Sequence, residues 1–158
     1  MEQIISKLNF ITNGEGFTDI TDDLNLFIQK SNFDSGILTL TSLHTSCSLT
    51  INENADPNVL KDLEKYIKSL VPYNCYTSIS KGREVIYYEH FQEGEDDMPA
   101  HIKTALTNTN LSLSFKNGQI ILGTWQAIYL WEHRFSPKER SISVHIIGEK
   151  SSNIYNGR

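Results

Sequence analysis

An α+β fold, a single compact domain with a mixed or antiparallel β-sheet core and about three helices, is predicted by three observations. About seven segments of strand length, apolar or alternating, are spread along the chain. Between them lie stretches whose apolar residues recur at helical spacing. The late strands follow one another without intervening helices, and Asn117-Gly118 marks a tight hairpin between two of them. No linker, repeat or low-complexity segment divides the 158 residues, so 1–158 reads as one domain.

The first strand is predicted over Gln3–Thr12, which alternates in part and is ended by Asn13-Gly14. Thr18 or Asp19 can cap a helix to about Lys30, with Ile20, Leu24, Phe27 and Ile28 on its inner face. Two strands rich in Thr, Ile and Leu follow, at Gly36–Leu43 and Cys47–Asn52. Asp56-Pro57 places a capping carboxylate before a proline at the first helical position. Val59, Leu60, Leu63, Tyr66, Ile67 and Leu70 then form an apolar stripe that Pro72 closes. A short helix is expected from about Pro99 to Thr107. Leu111–Phe115 and Gln119–Leu122 flank the Asn-Gly turn, and Trp125–Trp131 and Ser141–Gly148 supply the last two strands.

Composition excludes some functions. With 39% hydrophobic and 21% charged residues, the chain reads as globular and water-soluble. Its apolar runs are far shorter than the ~20 residues of a membrane span. Met1-Glu2-Gln3 is not the start of a basic, apolar leader, so a cytoplasmic location is expected. A net charge of −5 argues against a nucleic-acid partner, which needs a basic stripe. Cys47 and Cys75 are not spaced as a metal pair and are expected to be reduced thiols. Alternation turns Cys47 inward with Leu49 and Ile51, as a small buried thiol, and turns Ser46 and Ser48 the other way. A serine mechanism lacks the Gly-x-Ser-x-Gly turn that would expose the nucleophile.

Residues 89–101, Glu-His-Phe-Gln-Glu-Gly-Glu-Asp-Asp-Met-Pro-Ala-His, are the densest chemistry in the chain. Two histidines and five carboxylates lie in an irregular stretch that lets side chains converge, as a metal or phosphate-chemistry site requires. By composition alone the stretch is a wet acidic loop. Taken singly, His44 reads as a hydrogen-bonded strand-end residue, and His145 as a surface or interface residue facing away from Val144 and Ile146. His133 sits at a strand end, and no two histidines have the close spacing of a chelate.

Four longer motifs carry more information. They are His-Thr-Ser-Cys-Ser-Leu-Thr-Ile-Asn-Glu-Asn-Ala-Asp-Pro at 44–57, Tyr-Glu-His at 88–90, Glu-Gly-Glu-Asp-Asp-Met-Pro-Ala-His-Ile-Lys at 93–103, and Gly-Thr-Trp-Gln-Ala-Ile-Tyr-Leu-Trp-Glu-His-Arg at 123–134. In content, order and spacing this set resembles the YjbQ family over nearly the whole chain. Cys47 departs from the small residue, such as Ala, expected at its position.

The resemblance implies a compact α+β homotrimer with its polar motif residues gathered near the subunit boundary. It also implies a weak, secondary thiamine-phosphate synthase activity, in which a hydroxymethylpyrimidine diphosphate condenses with a thiazole phosphate while the principal reaction stays unsettled. The polar set it carries over is His44, His90, His101, Gln126 and Glu132. His44, His90 and His101 would suit a three-histidine site for a divalent ion, zinc or magnesium. Asp96 or Asp97 would orient a ligand or act as base, and Arg134 and Lys103 are the nearest cations for a phosphorylated substrate. Two other readings remain open at this point: a metal-dependent hydrolase of a small phosphorylated or cyclic compound, and a non-catalytic ligand-binding trimer. For the latter, Trp125, Tyr129 and Trp131 could stack a heterocycle, although core or interface is the more ordinary use of such residues.

Overall fold

The computed structural model describes residues 1–80 and 82–151. In chain order the elements are β1 (Glu2–Ile11), β2 (Gly16–Asp19), α1 (Thr21–Lys30), β3 (Phe33–Ser42), β4 (Cys47–Glu53), α2 (Pro57–Leu70) and β5 (Cys75–Thr77). They continue with β6 (Val85–Tyr87), α3 (Asp97–Leu106), β7 (Asn110–Lys116), β8 (Gln119–Ile120), β9 (Gln126–Glu132) and β10 (Glu139–Lys150). Every strand pair is antiparallel. A five-stranded sheet has the order β1-β10-β3-β7-β8, a three-stranded sheet β2-β9-β4, and β5-β6 is a separate hairpin.

The core lies between the two larger sheets. Leu38 and Leu40 of β3, with Ile142, Val144 and Ile146 of β10, alternate inward against Cys47 and Leu49 of β4 and Ile128 and Leu130 of β9. Leu24 and Ile28 of α1, with Ile20 just before it, close one side. Cys47 is therefore a core thiol, and burial pushes its pKa up, which keeps it protonated and unreactive.

Local chemistry explains the element boundaries. Asp56 accepts the Asn58 N–H at 2.8 Å and Pro57 opens α2, as the sequence predicts. Asn117 and Gly118 both take positive φ, 53° and 71°, the conformation of a type I′ turn between β7 and β8. Three short strands, β2, β5 and β6, lie outside the seven predicted ones; each has three or four residues, too few to show a period. Thr18 and Asp19 belong to β2, so α1 begins at Thr21. Asp19 still acts on its first turn by accepting the Thr21 N–H at 2.9 Å. The boundary that matters most is at α3, which starts two residues before its expected start and so takes in Asp97. No helix among the described residues is long and apolar enough to cross a membrane.

Candidate functional site

Because α3 begins at Asp97, Asp97 and His101 stand one turn apart on one helix face. His90 arrives from the chain leading out of β6. Its Nε2 lies 2.7 Å from Asp97 Oδ2, and His101 Nε2 lies 3.2 Å from the same oxygen. Asp97 is 2% exposed at its side chain, whereas the two imidazoles reach solvent. A buried carboxylate thus faces two accessible rings.

Tautomer logic sharpens the arrangement. His101 Nδ1 lies 3.0 Å from the Thr45 carbonyl oxygen, which can only accept, so Nδ1 carries the proton. In a neutral ring Nε2 then presents a lone pair to a carboxylate oxygen. Two lone pairs at that range repel unless a proton or a metal ion lies between them. A carbonyl-anchored imidazole beside a carboxylate is the usual preparation of a histidine for a metal ion. His90, Asp97 and His101 each offer one ligand atom, all within 4.8 Å of one another. Two nitrogens and one oxygen fit zinc or another borderline divalent ion, with a position left for water or substrate.

The carboxylates are held firmly. Asp97 Oδ1 accepts from Arg134 Nη1, which frees only Oδ2 for the imidazoles. Asp96 accepts from Arg134 Nε at 3.0 Å and from the Phe135 N–H at 2.8 Å, and the Glu93 carbonyl accepts from Arg134 Nη2 at 2.8 Å. Burial by itself pushes the Asp97 carboxyl up. Its His90 hydrogen bond and the Arg134 charge outweigh that and hold it below the usual carboxylate range. Asp96 is likewise lowered, because the Phe135 N–H and Arg134 outweigh its burial.

Beneath this lies a buried ion pair. Glu132 accepts from both Nε and Nη2 of Arg140, from the Thr12 hydroxyl at 2.9 Å, and from the His133 and Arg134 N–H groups at 3.1 and 3.0 Å. Both carboxylate oxygens are used and the residue is fully buried, so Glu132 fixes the backbone that presents Arg134 and is closed to a substrate.

Other expected site residues fall elsewhere. His44 does not join the cluster: its Nε2 accepts the Ser141 N–H at 2.8 Å at the end of the β3–β10 ladder. Burial and the Arg140 charge lower its pKa, so it is neutral. Gln126 begins β9 while Glu132 ends it, which separates them by roughly 20 Å of strand; the Gln126 amide oxygen accepts the Gly123 N–H. Lys103 is buried in an ion pair with Glu15 at 2.5 Å, and Glu15 also receives the Tyr73 hydroxyl and Lys68. Tyr129 and Trp131 are buried, with Phe17 stacked on Trp131 at 4.5 Å, whereas Trp125 is exposed.

One pairing escaped the sequence. Ser48 Oγ lies 2.9 Å from His133 Nε2, and both residues are fully buried. The alternation of β4 turns Ser48 to the sheet face opposite Cys47 and Leu49, but only the fold shows which histidine it meets. Burial, followed by the Lys103 and Arg140 charges, lowers the His133 pKa to about 3, so the ring is neutral and sealed from substrate.

Comparison with known proteins agrees with this architecture. The family described as "UPF0047 protein YjbQ-like" matches residues 6–149. The chain belongs to the YjbQ family. It is 43% identical to the UPF0047 protein sll1880 of Synechocystis over 138 residues, 87% of each chain. Identity to the UPF0047 protein YjbQ of Escherichia coli O157:H7 is 41% over 90% of this chain and 96% of that one. Among solved structures, an uncharacterised YjbQ/UPF0047 protein from Clostridium acetobutylicum superposes with a TM-score of 0.72 at 33% identity, over 91% of this chain and 99% of that one.

Proposed function

We propose that this YjbQ-family chain is a metal-dependent enzyme acting on a small phosphorylated compound, with His90, Asp97 and His101 as the ligands. The observation that carries the reading is the His101 ring, whose Nδ1 is anchored on the Thr45 carbonyl while its Nε2 faces the Asp97 carboxylate beside His90. A divalent ion bound there would supply Lewis-acid polarisation of a phosphoryl oxygen or an activated water. Asp97 supplies the anionic ligand, Arg134 holds that carboxylate in place, and Glu132 holds the Arg134 backbone. Glu132 and Arg134 are accordingly positioning residues.

The secondary thiamine-phosphate synthase reaction fits this site as a slow activity. In it the thiazole nitrogen bonds to the pyrimidine methylene carbon as the carbon–oxygen bond to diphosphate breaks and pyrophosphate departs. Fast turnover would need several cations on the leaving group. Arg134 is engaged by Asp96 and Asp97, and Lys103 by Glu15. The same three ion pairs favour a second reading, hydrolysis of a monophosphate or cyclic ester, whose departing charge is smaller.

The decisive assay combines thiamine precursors and a panel of phosphomonoesters and cyclic phosphates with metal-free and metal-restored protein. Turnover that a chelator abolishes, that a divalent ion restores, and that Asp97→Asn lacks would support the reading. Turnover indifferent to chelation and to Asp97→Asn would overturn it.

Three copies per assembly are part of the same proposal. In support, Tyr66, Leu70, Ile79, Tyr87 and Leu106 are all more than half exposed. Leu70, Ile79 and Leu106 also border an apolar groove, with Ile86, Met98 and Ile102, between α2, the β5–β6 hairpin and α3. Apolar exposure on this scale is typical of surfaces that pack against another chain.

A further inference from the structure

We propose that the buried Lys103–Glu15 ion pair is a positioning device, which sets the rotation of α3 and thereby aims Asp97 and His101. Its effect on metal binding rests on the centre proposed above; its effect on the His101 ring does not. α3 carries two of the three candidate ligands, yet its buried residues are Asp97, Pro99, Ala100, Lys103 and Thr104, with no large apolar side chain among them. Leu106, in its last turn, is 58% exposed. The buried apolar stripe that seats most surface helices is missing here.

Polar contacts hold the helix at two points instead. Asp96, at its start, accepts from Arg134 Nε and from the Phe135 N–H. The second point is Lys103, which is fully buried and stands about 160° around the helix from His101. Its Nζ donates to Glu15 Oε1 at 2.5 Å. Glu15 is itself fixed from several sides. Lys68 of α2 lies 3.1 Å from its Oε2, the Tyr73 hydroxyl donates to it at 3.0 Å, and the preceding Gly14 packs against the Phe135 carbonyl. The Tyr73 ring meets Phe135 edge-on, with centroids 4.8 Å apart, so Glu15 is tied to the loop that carries Arg134. Two such anchors stop the helix from rolling. A roll would draw His101 Nδ1 off the Thr45 carbonyl and move Asp97 away from His90. A buried charge pair is a poor source of stability, since an apolar pair of similar volume often does as well or better. What it adds is direction, which the hydrophobic effect lacks.

The test replaces the pair by an apolar one, Lys103→Met with Glu15→Met, alongside Lys103→Met alone, in which Glu15 keeps Lys68 and the Tyr73 hydroxyl. Leu24→Ala, a cavity in the core between the sheets, is the control for lost stability. Each protein is read twice, by proton–nitrogen correlation NMR of the imidazoles in metal-free protein and by zinc affinity in competition with a chelating dye. Leu24→Ala should lower the thermal midpoint and leave both readouts as in the wild type. The Lys103 variants should unfold cooperatively, lose the Nδ1-protonated signature of His101, and bind zinc about ten- to a hundredfold more weakly. Wild-type His101 signals in the folded Lys103 variants, or an equal change in Leu24→Ala, would overturn the proposal. Failure of both Lys103 variants to fold would overturn it too, by making the pair an element of stability. A wild type that binds no zinc, but whose His101 signature depends on Lys103, would keep the positioning role and sink the metal centre. Zinc bound equally by every variant, with unchanged imidazoles, would do the reverse.

Discussion

Glu132 and His133 carry the sharpest consequences of single side chains. Glu132→Ala leaves Arg140, 5% exposed, without its counter-ion, and a stranded buried charge costs about 3–5 kcal/mol. Urea unfolding should report that loss. His133 links stability to pH. Its folded-state value of about 3 lies below the ordinary 6.5, so between these values the unfolded chain takes up a proton that the fold refuses. Stability should be complete above pH 6.5 and fall as the pH drops towards 3, by a few kcal/mol. His44, also lowered, adds in the same sense. Unfolding midpoints between pH 7 and 4.5 should slope downward in the wild type and flatten in His133→Gln; an unchanged slope would remove the assignment. Much of the site was legible at this scale. The histidines and the Asp-Asp pair were visible as chemistry, but His44 reads like His90 in a motif and differs only in what its ring meets. A tautomer is set by a partner such as the Thr45 carbonyl, fifty-six residues away.

Elements decide which of those residues can converge. Long periodic segments were readable: the Asp56-Pro57 start of α2, the Asn117-Gly118 hairpin and the alternation of β10 all stand where the sequence puts them. The short strands were not, because three residues have no period. The two-residue shift at α3 was equally hidden. Pro99 looks like a first helical residue, yet it tolerates the third position, where its missing N–H has no intrahelical partner. That shift creates the Asp97–His101 pair. Two glycines mark where the backbone is tightest near the site. At Gly14 (φ 95°) an added Cβ would stand 2.3 Å from the Phe135 carbonyl oxygen, and at Gly94 (φ 110°) 3.1 Å from Asp96 Oδ1. Gly14→Ala should cost more stability than Gly94→Ala, which should cost about 1–2 kcal/mol. Thermal unfolding of the two variants side by side would show the order, and the reverse order would contradict the packing of residue 14 against the loop after β9.

At the scale of the molecule, two antiparallel sheets enclose the core and leave α2, α3 and the β5–β6 hairpin to shape the outer site. The apolar side chains exposed there should be covered by other copies, so light scattering should give three times the 18.0 kDa chain mass. A monomer at micromolar concentration would contradict that reading. The central claim concerns the metal. Elemental mass spectrometry of untagged protein, purified without chelators, should find near-stoichiometric divalent metal in the wild type and in His44→Ala, whose ring lies in the strand ladder. His101→Ala, equally folded, should have lost it. Metal absent from the wild type, or retained in His101→Ala, would contradict the account.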